Sequence, residues 1–194
     1  MGALAGQNRE VNTEAVQTFA ALLTVVTWVA TVVTFGAWAL RSRWSVALDV
    51  HEALRGAVLW LTWVVTLAAT VGSLYMSEVA NYVPCNLCWY QRIAMYPLVV
   101  ILLIAGVRKD VGVRWYVVPV AGIGLAFAIY HYFIEWFPSI ETDICSLTTP
   151  CSTVWFREFG FISLPLMGAS AFTYVIVALV TASPRTSTST VRTN

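Results

Sequence analysis

Five stretches of this 194-residue chain, 15–40, 56–77, 93–107, 115–134 and 159–184, contain no Asp, Glu, Lys or Arg. A helix needs about 20 apolar residues to cross the hydrocarbon core of a bilayer. Four of the stretches reach that length, and 93–107 does so if its helix begins near Trp89 and carries Gln91 and Arg92 at the interface. Composition agrees, with 59% hydrophobic residues and only 11% charged ones. A mean hydropathy of +0.74 excludes an ordinary soluble domain. The expected fold is an all-α integral membrane protein, a four-helix transmembrane bundle core plus one additional N-terminal transmembrane helix.

The organisation expected along the chain is simple. A polar N-terminal segment, 1–18, leads into the extra helix, 19–40. A four-helix domain, 52–182, carries an outward loop, 137–163, and a disordered tail, 183–194, follows. The residues before the first helix include Arg9, Glu10 and Glu14, a poor n-region for a signal peptide, and the following apolar run is too long for one. The first helix is therefore read as uncleaved. The small-x-small run Ala37-Trp38-Ala39 is the competing signal, and cleavage there would leave four helices.

Eight of the eleven basic residues (Arg41, Arg43, Arg55, Arg108, Lys109, Arg114, Arg185 and Arg192) fall on one side of the expected topology. The positive-inside rule makes that side cytoplasmic. The opposite side holds Arg9, Arg92 and Arg157 among an excess of carboxylates. All four cysteines lie there, where disulfides persist. A net charge of +1 points to no nucleic-acid partner.

The cysteines form two close pairs. Cys85-Asn86-Leu87-Cys88 follows Pro84, a helix-entry signal, so both thiols belong to a first helical turn. Helix-start amides and dipole favour a thiolate there, and Cys88 is the expected nucleophile. Arg92 comes one turn later on the same face, beside that thiolate or a bound electron acceptor, or else snorkels to the headgroups. Cys145 and Cys151 close a seven-residue ring in the long loop, a spacing that suits a structural disulfide or one partner in thiol–disulfide exchange. Together the four sulfurs could also bind zinc, but such sites usually hold together small soluble folds, and no metal is expected.

Thiols release electrons in pairs. With neither a dinucleotide fingerprint nor a haem-type Cys-x-x-Cys-His, a lipid-soluble quinone is the simplest acceptor. His131, between Tyr130 and Tyr132, reads as an interfacial anchor or as a hydrogen-bond partner for a quinone carbonyl. Glu78 and Glu135 read as solvated helix ends that could also move protons. Trp155, Phe156, Phe159, Phe161 and Ile162 make the loop amphipathic enough to lie along the lipid surface or to dock a partner.

The run from Pro84 through Cys85-Asn86-Leu87-Cys88-Trp89-Tyr90-Gln91-Arg92 to Leu98 resembles the signature of the disulfide bond formation protein B family (DsbB), especially its BdbC-type branch. The close pair Cys145 and Cys151, His131 fourteen residues before it, and the Phe161-to-Pro165 entry to the last helix extend the resemblance. It implies a membrane thiol:quinone oxidoreductase that reoxidises a thioredoxin-like thiol oxidase of DsbA or BdbD type outside the cytoplasmic membrane. Ubiquinone or menaquinone would be the cofactor. By motif position Cys88 would contact the quinone, Arg92 and His131 would complete its site, and Cys85 would be the disulfide partner of Cys88. Cys145 would form the mixed disulfide with the partner protein, and Cys151 would resolve it. A vitamin K epoxide reductase-like enzyme is disfavoured because its loop cysteines precede the Cys-x-x-Cys. The remaining alternative is a non-enzymatic membrane scaffold with two structural disulfides.

Overall fold

A computed structural model describes residues 2–142, 145 and 149–182, with side chains described from residue 13 onward. The tail 183–194, Arg185 and Arg192 within it, Asp143 and the side chains of Arg9 and Glu10 lie outside the described residues.

Five helices make up the fold: α1 (Gly2–Leu40), α2 (Ser45–Glu78), α3 (Asn86–Arg108), α4 (Arg114–Trp136) and α5 (Leu164–Thr181). Each contains a segment long and apolar enough to cross a membrane. In hydrocarbon every backbone amide must be bonded within its own segment, so helix is the form these runs take. The protein is a multi-pass membrane protein of the expected all-α class. The described residues form no named strand, and an isolated bridge pairs Glu158 with Ile162.

α1 begins at Gly2, so it takes in the polar opening of the chain as well as the apolar run. α3 begins at Asn86, directly after Cys85, one turn earlier than the hydropathy pattern indicates. Its 23 residues then span without difficulty. Pro97 and Pro119 sit inside α3 and α4, positions that membrane helices tolerate.

α5 is the hub, packing against α4, α1 and α2. Its spanning window is 56% buried, against 17% for α1, so α5 is the inner helix and α1 the most lipid-exposed. Leu98 and Leu102 of α3, Val117 and Ala121 of α4, and Phe172, Val175 and Leu179 of α5 form the centre of the core. Close packing of α4 on α5 depends on Gly124: a Cβ there would collide with the fully buried Phe172 ring. Small residues are how membrane helices approach this closely when no hydrophobic force drives them together.

α1 is fastened at two polar points. Trp28 Nε1 donates to Ser170 Oγ of α5 at 2.6 Å, and Gln17 Nε2 donates to the Tyr82 hydroxyl at 2.5 Å. Gln17, Ala21, Thr24 and Thr34 are buried along the inward face of α1, while Phe19, Val26, Val29 and Val32 face outward.

The connections α2–α3 and α4–α5 meet at one end of the bundle, where all four cysteines lie. The turns carrying Arg41, Arg43, Arg108 and Lys109 fall between the other helix ends.

Candidate redox site

Cys85 is the N-cap of α3, with extended backbone, and its sulfur accepts the Cys88 amide at 3.4 Å. The free amide of the helix start is thus directed at Cys85, whereas the spacing argument assigned the benefit of the helix start to Cys88. The two sulfurs lie 3.0 Å apart. Cys85 stands just outside the spanning segment. The hydrogen bond from Cys88, then that from His131, pulls its thiol below the ordinary range against the opposing effect of burial.

His131 comes from the last turns of α4 and is buried, 3% exposed. Its Nε2 lies 3.6 Å from Cys85 Sγ and 3.0 Å from the carbonyl oxygen of Cys151. On the other side of the ring, Nδ1 meets Gln91 Nε2 at 3.0 Å. Since the Gln91 amide donates, Nδ1 accepts, and the proton resides on Nε2, facing Cys85 and the loop. An interfacial anchor would keep its ring in the headgroup layer; this ring sits between the two cysteine pairs.

Cys145 and Cys151 are joined by a disulfide, while Cys85 and Cys88 are free thiols. Cys85, Leu87, Ile134 and Cys151 form one buried cluster, with Cys88, Cys145, Phe127 and Tyr130 packed against it. Sequence placed both pairs on one face of the membrane; the fold brings them into one cluster. A small cavity of about 20 Å³ beside Cys85 and Cys88 is also bordered by His131, Glu135 and Pro150.

The loop is held at several points. Glu141 Oε1 accepts the Cys151 amide at 2.6 Å, and the Tyr130 hydroxyl donates to the Ile140 carbonyl at 3.1 Å. Trp155 stacks on Tyr82, ring centroids 4.7 Å apart. The amphipathic reading of the loop needs one correction: Phe159 and Phe161 are exposed, but Ile162 is fully buried. Phe161 also stacks on Trp28 of α1.

Arg92 is buried rather than snorkelling, because α2 supplies its partners. Its Nε donates to Ser73 Oγ at 3.0 Å and a terminal nitrogen donates to the Ser73 carbonyl at 2.9 Å. The guanidinium lies over the Trp89 ring, 5.3 Å from its centroid. Glu78 is exposed at its helix end, as expected. Glu135 is not a solvated end: it is 8% exposed, accepts from Ser163 Oγ at 2.5 Å, and its backbone carbonyl accepts from Arg157 at 2.9 Å.

A larger cavity of about 340 Å³ begins at Cys88 and Arg92 and runs between α1, α2, α3 and α5. Its walls are chiefly apolar, with Gln91, His131, Tyr82, Tyr96, Ser73 and two α1 threonines among the polar lining residues. The Tyr96 hydroxyl itself is shielded and without a hydrogen-bond partner among the described residues. An apolar pocket with a few converging donors beside a thiol fits a flat ring with two carbonyls and a hydrocarbon tail. Two sets of residues also have metal-ligating atoms within 4.8 Å of one another: Cys85, Cys88 and His131, and Glu141, Cys145 and Cys151. The disulfide occupies both sulfurs of the second set, so the four-thiolate zinc arrangement is not the one present.

Comparison with known proteins bears on the same residues. The family model of the disulfide bond formation protein DsbB matches residues 55–183, which include all four cysteines, Arg92 and His131. The chain belongs to the DsbB family. Among curated relatives, a probable disulfide formation protein of Oceanobacillus iheyensis is 45% identical over 123 residues, covering 62% of this chain and 84% of the relative. Disulfide bond formation protein C of Bacillus subtilis is 45% identical over 120 residues, 61% of this chain and 87% of the relative. A probable disulfide formation protein of Coxiella burnetii is 41% identical over 124 residues, 63% and 84% of the two chains. No solved structure matches. The DsbB match starts after α1, so that helix is an addition to the matched core.

Sequence reasoning missed Ser73, Gln91 as a partner of His131, and Glu141. Each acts through a contact between helices or across the loop, and spacing along the chain carries no signal for those.

Proposed function

We propose that this DsbB-family protein is a membrane thiol:quinone oxidoreductase that reoxidises a thioredoxin-like thiol oxidase of DsbA or BdbD type. The observation that carries the reading is the single buried cluster of both cysteine pairs, with His131 between them and a lipid-depth cavity opening beside Cys88 and Arg92. A scaffold held by two structural disulfides would have no use for the buried histidine and the cavity beside the cysteines.

The partner's dithiol attacks the Cys145–Cys151 disulfide, Cys145 forming the mixed disulfide and Cys151 leaving as a thiol. The second partner thiol displaces Cys145, so the partner departs oxidised and the loop holds two thiols. Exchange with an oxidised Cys85–Cys88 pair then moves two electrons and two protons inward and restores the loop disulfide. His131, its Nε2 proton facing Cys85 Sγ, steadies that sulfur as an anion while the bond forms. Cys88, next to the cavity, is the sulfur in position to deliver the electrons, with Arg92 fixed by Ser73 at the same wall. A quinone held there, ubiquinone or menaquinone, would take up two electrons and two protons and close the Cys85–Cys88 disulfide. The cysteine end of the bundle faces outward across the cell membrane, since the Arg-rich turns belong inside.

Turnover by the purified protein in detergent, supplied with a reduced thioredoxin-like oxidase and decylubiquinone or a menaquinone analogue, tests the reading. Wild type reduces quinone as the partner is oxidised, while Cys88→Ala and Cys145→Ala do neither. Loss of partner oxidation without any dependence on quinone would reject the electron route.

A further inference from the structure

α1 lies outside the region that matches the family, yet it borders the cavity beside Cys88 through Ala20, Leu23, Thr24 and Thr27. Its position is fixed, because Trp28 is bonded to Ser170 on one side of these residues and Gln17 to Tyr82 on the other. Tyr82 borders the same cavity. The two threonines do not make the wall polar: Thr24 Oγ1 donates to the Ala20 carbonyl at 2.9 Å and Thr27 Oγ1 to the Leu23 carbonyl at 2.8 Å. With each hydroxyl returned to its own helix, these residues present an effectively apolar surface.

The α3 side of the cavity contrasts with this. Cys88, Arg92 and Tyr96 follow at intervals of four residues, so they lie on one face of the helix. All three border the cavity, Cys88 and Arg92 with their polar groups and Tyr96 with its ring, its hydroxyl being shielded.

We propose that the ligand lies between α1 and α3: Ala20, Leu23, Thr24 and Thr27 form the apolar wall for its ring edge and tail, across the cavity from Cys88 and Arg92. The proposal rests on the quinone reading and goes beyond it, because it assigns quinone fit to a helix outside the family core. An α1 of different sequence would change which quinones are accepted without altering a single redox residue.

The test is equilibrium binding of decylubiquinone and of tail-less menadione to the full-length protein in detergent. It compares wild type, Thr24→Phe and Ala20→Leu, with reduction of the Cys145–Cys151 disulfide by dithiothreitol as the control for an intact loop. Thr24→Phe and Ala20→Leu narrow the cavity and raise the Kd for decylubiquinone at least tenfold, with a smaller change for menadione. Dithiothreitol reduction is unchanged in both. Two α1 variants guard against one that does not fold, as judged by melting temperature. Unchanged decylubiquinone affinity in a folded α1 variant, with binding lost in Arg92→Ala, overturns the inference and leaves the function intact. Binding that falls in the α1 variants while wild type transfers no electrons from thiols to quinone upholds the wall and rejects the function. No quinone binding to wild type overturns both.

Discussion

His131 Nε2 lies 3.6 Å from Cys85 Sγ, deep in the cluster where the two cysteine pairs meet. The ring places its Nε2 proton beside that sulfur, the one that changes partners in the proposed exchange. The Cys151 carbonyl, 3.0 Å from the same nitrogen, ties the ring to the loop as well.

The thiolate of Cys85 follows from that geometry. Cys88 contributes most to lowering its pKa and His131 less, so the proton on Cys85 is lost at lower pH than from an ordinary thiol. His131→Phe moves the midpoint of thiolate formation upward, and Cys88→Ala moves it further. Ultraviolet thiolate absorbance followed against pH, with the loop disulfide left closed, measures both. An unchanged midpoint in both variants would remove electrostatics from the account of Cys85.

Arg92 works through its fork. Arg92→Lys keeps the charge but cannot reproduce two bonds to Ser73 from one planar group. Hydrogen bonds to charged groups are worth about 1.5–3 kcal/mol, so losing the anchor weakens quinone binding roughly tenfold or more. Ser73→Ala produces part of that loss by freeing the guanidinium. The expected result is a raised KM for quinone, with KM for the partner protein unaffected.

The loop depends on Glu141. Glu141→Ala leaves the Cys151 amide without its acceptor, and Tyr82→Ala removes the stack on Trp155. The first loosens the loop by about 1–3 kcal/mol and the second by about 0.5–1.5 kcal/mol. Hydrogen exchange at residues 149–156 is expected to speed up in each variant, while exchange in the core of α5 stays slow.

Helix packing at Gly124 is a matter of space. Gly124→Ala forces its new methyl against the Phe172 ring, and overpacking of this kind costs about 1–3 kcal/mol. A lower melting temperature is expected, with recovery in the double variant Gly124→Ala, Phe172→Leu. Failure of the smaller ring partner to restore stability would show that the strain lies elsewhere.

How much of this was legible from the chain depends on how far apart the interacting residues lie. Spans and the α3 entry follow from apolar run length and from Pro84 before Cys85, all local signals, although α3 starts a turn earlier because hydropathy undervalues polar first-turn residues such as Asn86. The burial of Arg92 was not legible, since its partner Ser73 is on another helix and looks like any small residue of an apolar span. Glu135 and His131 sit near a helix end, where solvation is the natural expectation, and only the folding of the loop over that end buries them. α1 had a visible length and no visible role, because its contacts with Tyr82 and Ser170 bridge distant parts of the sequence.

The most direct test of the central claim, that the two pairs exchange electrons within one chain, is a count of quinone reduced in a single turnover. Protein with all four cysteines reduced, freed of reductant and mixed with excess decylubiquinone, should reduce two quinones per chain, one for each dithiol. The double variant Cys145→Ala, Cys151→Ala should reduce one. A wild-type count of one, with the loop thiols still free at the end, would contradict the relay and leave the helix pair working alone.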